Sequence, residues 1–311
     1  MFTTNPNRRA GLRLALTTMA LTIAPLTIVA VIPPLATFGG RAVAATPVPR
    51  IVAAPQGVQR IDDYAAALEA ARASAAMLLV SVEPQSGNPT DAAGRHLERP
   101  DVQERFGRSG TPWVFCRLGM AEATGLVSDP SLVEMRHGPG VFVVDHAHPR
   151  YAGRIVSVLP RTPGKYYRFT TAHLDELAAL PEGSLTQRSL ILAVRIHPEN
   201  PRSTQGNCDP SLCAEAESHS AHQARIRRQG HHGWDVRSQR IAGRMGAGSA
   251  SEVCAESWEN QDLLDSCVDC VASWRQSSGH WNAVRSPQAA YGYDIRRGGN
   301  GIWYATGVFL K

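Results

Sequence analysis

Short apolar runs of strand length alternate with helix-forming segments over residues 60–183, and this alternation constrains the fold most strongly. Residues 61–75 (IDDYAAALEAARASA) begin with aspartates and are rich in alanine, which predicts a helix. Residues 77–82 (MLLVSV) form a short apolar run of strand length, and residues 140–145 (GVFVVD) also predict a strand. Further strands are expected in PWVFCRL and GRIVSVLP, and further helices in ERPDVQERFGRSG and TTAHLDELAALPEG. This order indicates an α/β domain.

Residues 137–145 (HGPGVFVVD) place Gly138 and Pro139 directly before a predicted strand. Together with the order of the elements, this segment resembles the thioredoxin-like fold, which keeps a cis-proline there, beside its active site. The family carries a Cys-x-x-Cys motif in the loop after the first strand, but residues 81–94 (SVEPQSGNPTDAAG) contain no cysteine. Because a thiolate is the nucleophile of disulfide exchange, we expect this domain to be redox-inactive. Cys116 lies within a predicted strand, so we expect it to be a small buried residue.

The last third of the chain, residues 186–311, predicts an α+β domain. Asp209 and Pro210 suit the N-cap and the first position of a helix, and Gly230 lies just past its expected end. The inward face of this helix is expected to contain Leu212, Ala216, His219, Gln223 and Ile226. Residues 262–276 predict another helix with an apolar stripe. AAYGYDIRR and GIWYATGVFLK are expected to pair as a hairpin.

Three segments of this last third carry histidines and glutamates. RQGHHGWDVR supplies His231 and His232 after a helix, and ASEVCAESW supplies Glu252 and Glu256 in a predicted strand. WRQSSGHW supplies His280 after the next helix. Neutral imidazole and carboxylate suit zinc, which takes three protein ligands where a water occupies the fourth position. Two of these histidines and one glutamate fit that count.

Trp274, Ser277, Gly279 and His280 resemble the W-x-x-S-P-G-H pattern of the CAP superfamily (cysteine-rich secretory, antigen 5 and pathogenesis-related proteins), in its bacterial form, with Ser278 replacing the proline. The resemblance covers about residues 190–311 and includes the closing GNGIWYATGVF. It implies a three-layer α-β-α sandwich. It also implies a cleft lined by two histidines and two acids that can bind zinc or another divalent cation.

By position, the resemblance makes His280 the second histidine of that cleft and His231 or His232 the first. His231 is preferred because it directly follows the helix-ending glycine. Glu252 is the first acid of the cleft if EVCA aligns with the family's Glu-Asn-Ile-Ala step. Glu256 is the first acid if the strand is shifted by four residues. Of the two, Glu252 is preferred. No segment matches the second acid, so a partial site is expected. The tryptophans expected to frame the cleft are Trp234, Trp274 and Trp281.

The chain has six cysteines, of which five lie in the last third. These five are the disulfide candidates: Cys208, Cys213, Cys254, Cys267 and Cys270. Cys208 and Cys213 can close a small loop at the start of their helix. Cys267 and Cys270 form a Cys-x-x-Cys motif, but it lies inside a predicted helix rather than at the N-terminus that lowers a thiol pKa. We therefore expect no catalytic role for it, and the sequence leaves the pairing open.

The first 45 residues have the pattern of an export signal: Arg8 and Arg9, then an apolar stretch over residues 14–40, then small residues. An uncleaved membrane anchor is the alternative, because the stretch is long enough to span a bilayer. Residues 46–59 are rich in proline and alanine and predict a linker, followed by domains at 60–183 and 186–311. Export would place the cysteines where disulfides can form.

The net charge of +5 does not indicate a nucleic-acid partner. Four arginines and no acid lie in the first 45 residues, so the rest of the chain carries about +1. That balance leaves no general attraction to polyanions.

These features favour an exported protein that is periplasmic, on the cell surface or secreted, and that acts by binding rather than as an enzyme. The resemblance implies an envelope partner (a lipid, a glycan or a protein), with membrane contact only through an uncleaved N-terminal segment. The alternative is a zinc-dependent hydrolase acting on a cell-envelope substrate. In that case His231 and His280 would hold zinc, and Glu252 or Glu256 would ligate it or act as general base.

Overall fold

A computed structural model describes residues 58–84, 91–246 and 249–311, all within one compact unit. The predicted export signal or anchor (1–45) and nearly all of the predicted linker lie outside these residues. Within the described ranges, no helix combines the length and the apolar character needed to cross a bilayer. The fold is of the mixed α/β class and contains two mixed sheets.

The first part of the chain forms a five-stranded sheet in the order β1-β3-β2-β4-β5. Strands β1 and β2 run parallel to β3, whereas β4 runs antiparallel to β2 and β5. The strands are β1 (Gln59–Arg60), β2 (Met77–Glu83), β3 (Trp113–Gly119), β4 (Gly140–Asp145) and β5 (Arg154–Pro160). The helices are α1 (Tyr64–Ala73), α2 (Ala92–Leu97), α3 (Pro100–Gly107), α4 (Met120–Ala123) and α5 (Ala172–Leu177). Three 3-10 helices cover Leu126–Ser128, Pro130–Met135 and Pro149–Tyr151.

The strands and helices predicted for this part are confirmed. Strands β2 and β4 are buried along their whole length, so both faces of the sheet are covered there. Every residue of β2 is buried, and Asp63 caps α1 by accepting a hydrogen bond from the amide of Ala66 at 2.8 Å. Cys116 is buried as expected, and burial raises the pKa of its thiol to about 12. The peptide bond before Pro139 is trans, unlike the cis-proline that the thioredoxin-like resemblance implies at this position.

The last part of the chain forms a four-stranded sheet in the order β6-β8-β9-β7. Its helices are α6 (Leu185–Arg195), α7 (Pro210–Ile226), α8 (Trp234–Met245), α9 (Leu263–Gln276) and α10 (Ser278–Arg285). Its strands are β6 (Asn207–Cys208), β7 (Ala250–Glu256), β8 (Ala290–Arg297) and β9 (Trp303–Leu310). The predicted β8–β9 hairpin is confirmed as an antiparallel pair.

Helices cover both faces of the second sheet. On one face, Tyr293 and Phe309 share a core with Trp274 of α9. On the other face, Val308 packs with Leu212 of α7. Alternate residues of one strand point to opposite faces, so each strand contributes to both cores.

Helix α7 lies very close to β8 because Gly292 has no side chain. A Cβ atom added at Gly292 would lie 2.2 Å from the backbone carbon of Leu212, which is too close for any real contact. Asp209 caps this helix through the amides of Ser211 and Leu212, as predicted. The close approach places the polar residues of α7 directly against the sheet.

Three local predictions in this part need correction. Helix α7 ends at Ile226 rather than just before Gly230, because Arg227 takes a left-handed conformation with φ 55°. Ile226, expected on the inward face, is 41% exposed. His280, expected after the end of a helix, lies in the first turn of a second helix, α10, because the extended backbone of Ser277 separates α9 from α10.

The start of α9 is tied to the first part of the chain by two carboxyl groups. Glu134 accepts hydrogen bonds from the amides of Leu263 at 2.7 Å and Leu264 at 3.4 Å. Asp265 accepts hydrogen bonds from the amides of Tyr166 and Tyr167 at 2.6 and 2.7 Å. These bonds fix the helix from which α10 and His280 continue.

Candidate metal centre

Two histidines from distant parts of the chain face each other across a short gap. The Nε2 atoms of His231 and His280 lie 3.2 Å apart, and the ring centroids are separated by 5.4 Å. The side chain of His231 is 41% exposed, and His280 is half-buried. The sequence-predicted pair is therefore brought together in space.

His231 is positioned by the backbone of the residue that precedes it. Gly230 donates its amide hydrogen to Gln223 Oε1 at 3.0 Å and accepts a hydrogen bond from His219 Nε2 at 2.9 Å. Both partners are buried residues of α7. Gly233, with φ 63°, then turns the chain into α8. A left-handed backbone of this kind favours glycine.

His280 is positioned by the packing of α10. Trp281 and Val284 are buried against the core, and the Trp281 amide donates to the Ser277 carbonyl at 2.8 Å. This anchoring leaves the neighbouring His280 on the outer side of the first turn.

Glu252 contacts the ring nitrogen of His231 that faces away from His280. Its fully buried carboxylate lies with Oε1 3.0 Å from His231 Nδ1 and Oε2 2.6 Å from a terminal nitrogen of Arg237. Burial alone would raise the pKa of Glu252, but the contacts with His231 and Arg237 outweigh it and lower that pKa. The carboxylate is therefore ionised at neutral pH, and it accepts the hydrogen of His231 Nδ1–H.

The hydrogen bonds of the pair decide which ring nitrogen a metal can use. Because His231 Nδ1 donates its hydrogen to Glu252, Nε2 is the His231 nitrogen left for a metal, and it faces His280. Burial, together with the nearby His231, lowers the pKa of His280, so that the His280 imidazole is neutral at neutral pH. Neutral imidazole is the form that binds metals.

The spacing of the two nitrogens fits a shared zinc ion. Zinc binds imidazole nitrogen at about 2.0–2.1 Å, and two such ligands at a tetrahedral angle stand about 3.3–3.4 Å apart. The observed separation of 3.2 Å is within a few tenths of an ångström of that value. A carboxylate that fixes the other ring nitrogen is the usual partner of a metal-binding histidine. The residues present therefore fit a divalent metal.

His232 and Glu256 lie away from the histidine pair. His232 Nε2 lies 3.3 Å from the carbonyl of Arg228, and its ring lies 6.0 Å from His219 and 5.5 Å from His222. Glu256 is exposed at the far end of β7, opposite Tyr304 in the register.

The three tryptophans differ in their surroundings. Trp274 has no exposed surface and packs on Tyr293, so its place is in the core rather than beside an open groove. Trp281 is buried and contacts the His197 ring at 4.9 Å. The guanidinium carbon of Arg237 lies over the Trp234 ring, 5.4 Å from its centroid, so that Trp234 helps to position the arginine that pairs with Glu252.

A second group of donors lies beneath the histidine pair. His219, Glu252 and Cys254 are all buried, their donor atoms lie within 4.8 Å of one another, and together they could hold a metal ion. His219 Nε2 already donates to the Gly230 carbonyl, however, and burial raises the pKa of Cys254 well above its ordinary value. The group therefore needs more rearrangement to take a metal than the exposed pair does.

Sequence reasoning assigned no functional role to His219 or Arg237, and it considered Cys254 only as a disulfide candidate. The sequence predicted for His219 only that it lies on the inward face of helix α7. Cys254 shares a strand face with Glu252, because side chains two positions apart in a strand point the same way. No local pattern indicates Arg237, which reaches Glu252 from the unpredicted helix α8.

The cysteines predicted as disulfide candidates differ in their distances to other side chains and in their burial. All six cysteines are free in the structure, and the Sγ atoms of Cys208 and Cys213 lie 3.6 Å apart. Cys267 and Cys270 are fully buried inside α9, and burial raises the pKa of both thiols. Cys254 Sγ lies 3.7 Å from His231 Nδ1.

No family model, curated protein or solved structure matches this chain. The function is therefore inferred from the geometry of the histidine pair, its carboxylate and the surrounding elements.

Replacing Glu252 with glutamine is expected to weaken zinc binding by about tenfold, because the amide no longer polarises the His231 ring as a carboxylate does. Competition with a chromogenic chelator measures the affinity. The exposed Glu256→Gln serves as the matched control and is expected to bind zinc as the natural chain does. Equal affinities for the two variants would contradict a role for Glu252 in the centre.

Proposed function

We propose that the protein binds a divalent metal, zinc by preference, through Nε2 of His231 and Nε2 of His280. The observation that carries this proposal is the 3.2 Å separation of the two nitrogens, with the far side of one ring held by an ionised, buried glutamate. The protein's residues bind and orient the ion. Two protein ligands leave coordination positions that the metal, when bound, would offer to an oxygen of a partner molecule.

The broader proposal is an exported recognition protein of the cell envelope or the extracellular space. Helices on both faces of the second sheet, and the meeting of His231, Glu252 and His280, support the CAP resemblance. The strand order β1-β3-β2-β4-β5, with β4 antiparallel, supports a thioredoxin-like fold for the first part. Its partner would be a lipid, a glycan or a protein of the envelope.

Binding is favoured over hydrolysis by the state of Glu252. One of its oxygens contacts His231 and the other pairs with Arg237, so neither is free to take a proton from a metal-bound water. Glu256, the other predicted base, points into solvent at the far end of β7. The carboxylate that touches the histidine pair therefore orients a ligand and does not act as a base.

Metal analysis combined with an activity assay tests this proposal. The full chain is loaded with zinc, dialysed, and assayed for bound metal and for hydrolysis of peptides and peptidoglycan. We expect one equivalent of zinc and no turnover that depends on His280. Turnover that is lost in His280→Ala would instead favour a zinc-dependent hydrolase, and absence of retained zinc would contradict the metal centre.

A further inference from the structure

Cys208 and Cys213 form a thiol pair at the junction between β6 and α7. Their sulfur atoms are 3.6 Å apart, at hydrogen-bonding distance. Asp209 holds the intervening turn by accepting hydrogen bonds from the amides of Ser211 at 2.8 Å and Leu212 at 3.0 Å. Strand β6 is in turn fixed to β8, where the Asp209 amide donates to the Tyr291 carbonyl at 2.9 Å. The two sulfurs are therefore held close by a rigid local frame.

The pair is open to small molecules. A cavity of about 130 Å³ is lined by both cysteines together with Arg150, Tyr151, Glu182 and Gln187. Cys208 is half-buried, whereas only 6% of Cys213 is exposed. An incoming reagent therefore meets Cys208 first.

The electrostatics of the pair distinguish the two thiols. The hydrogen bond from Cys213 lowers the pKa of Cys208, and a second hydrogen bond from Tyr291 lowers it further. Burial raises this pKa but does not outweigh the two hydrogen bonds. The same hydrogen bond to Cys208, together with burial, raises the pKa of Cys213. Cys208 thus loses its proton first, with Cys213 as the donor that stabilises the thiolate.

The other four cysteines lack this combination of a close partner and solvent access. Cys267 and Cys270 have no exposed surface, and Cys116 and Cys254 are each 2% exposed. A soluble oxidant cannot reach these sulfurs without local unfolding of the core.

We propose that Cys208 and Cys213 are a reversible redox pair that forms a disulfide by exchange with a disulfide-bearing partner. The Cys208 thiolate attacks one sulfur of the partner's disulfide, whose bond breaks and releases one thiolate. This step leaves a mixed disulfide on Cys208. Cys213 then loses its proton to solvent and attacks the Cys208 sulfur, which expels the second thiolate. The pair is oxidised by two electrons, and the partner is reduced to two thiols.

The proposed bond would connect β6 to the first turn of α7, the helix whose residues His219 and Gln223 position the backbone before His231. It requires no metal and no participation of His231 or His280. The redox pair and the metal centre can therefore be tested separately.

Equilibration of the full chain with mixtures of oxidised and reduced glutathione tests this inference. After acid quenching and alkylation under denaturing conditions, we expect the number of free thiols to fall from six to four as the oxidised fraction rises. Peptide mapping is expected to locate the bond between residues 208 and 213. The fully buried Cys267→Ser is the matched control and is expected to lose two thiols in the same way.

Single variants test the order of events. Cys213→Ser is expected to accumulate a glutathione adduct on Cys208, whereas Cys208→Ser is expected to stay unmodified. If either variant fails to fold, as judged by circular dichroism, rapid alkylation of the natural chain replaces it and is expected to label Cys208 first. Six free thiols at every glutathione ratio would overturn the inference, as would a bond mapped to Cys267 and Cys270 or equal adducts in both single variants.

Discussion

His280→Ala is expected to lower the affinity for zinc by about a hundredfold or more, because it removes one of the two imidazoles that face each other at 3.2 Å. His231→Ala is expected to have an effect of the same size. Each variant leaves a single imidazole, which binds zinc no better than an ordinary surface histidine. Isothermal titration of the metal-free chain at neutral pH measures the change.

The matched control for this prediction is His232→Ala. His232 adjoins His231 in sequence, but its ring nitrogen lies 3.3 Å from the Arg228 carbonyl and its ring packs beside His222. We therefore expect this variant to keep the affinity of the natural chain. A large loss in His232→Ala, or none in His280→Ala, would mean that the metal lies elsewhere.

Glu134→Gln is expected to remove a pH-dependent loss of stability. Burial, with a smaller effect of Asp262, raises the pKa of Glu134 to about 8. The hydrogen bonds from the amides at the start of α9 act in the opposite direction and lower this pKa, but they do not outweigh burial. Glu134 Oε2 is buried and has no hydrogen-bond partner among the described residues. Glutamine keeps an oxygen for the amides of Leu263 and Leu264 but carries no charge to bury.

The sign of the effect follows from the raised pKa. The contribution of Glu134 to the free energy of unfolding is complete below its unfolded pKa and is lost as the pH rises through about 8. Between about pH 5 and about pH 9, we expect the natural chain to lose about 2–4 kcal/mol relative to Glu134→Gln.

Urea unfolding of both proteins across this pH range measures the difference. The exposed Glu69→Gln is the control and is expected to follow the natural chain at every pH, because its carboxylate is solvated in both states. Parallel pH profiles for the natural chain and Glu134→Gln would contradict the account of this contact.

The strands of the first sheet could be predicted from the sequence because their signal is local. Met77 to Val82 and Gly140 to Asp145 are predominantly apolar, and the structure buries both segments on two faces. The N-caps at Asp63 and Asp209 could also be predicted from the sequence. An aspartate directly before a helical pattern can accept hydrogen bonds from the free amides at the start of the helix.

Helices α8 and α10 escaped prediction because tertiary contacts stabilise them more than their own composition does. Helix α8 buries only Ile241 and contains a glycine, so its periodic signal is weak. Helix α10 is eight residues long, and its two buried residues, Trp281 and Val284, gain their stability from the core beneath them.

The candidate site was visible in part. Residue types suggested His231, Glu252 and His280, and the structure brings these three side chains together. The sequence left open the choices between His231 and His232 and between Glu252 and Glu256. Those choices depend on the hydrogen bonds of Gly230 to α7 and on the orientation of β7 against α8. Such long-range contacts leave no trace in local spacing.

Anomalous diffraction at the zinc absorption edge, from crystals of the zinc-loaded chain, tests the metal centre most directly. We expect one strong peak about 2 Å from Nε2 of both His231 and His280, with Glu252 still bonded to the far side of the His231 ring. A peak among His219, Glu252 and Cys254, or stoichiometric zinc bound away from both groups, would contradict this account.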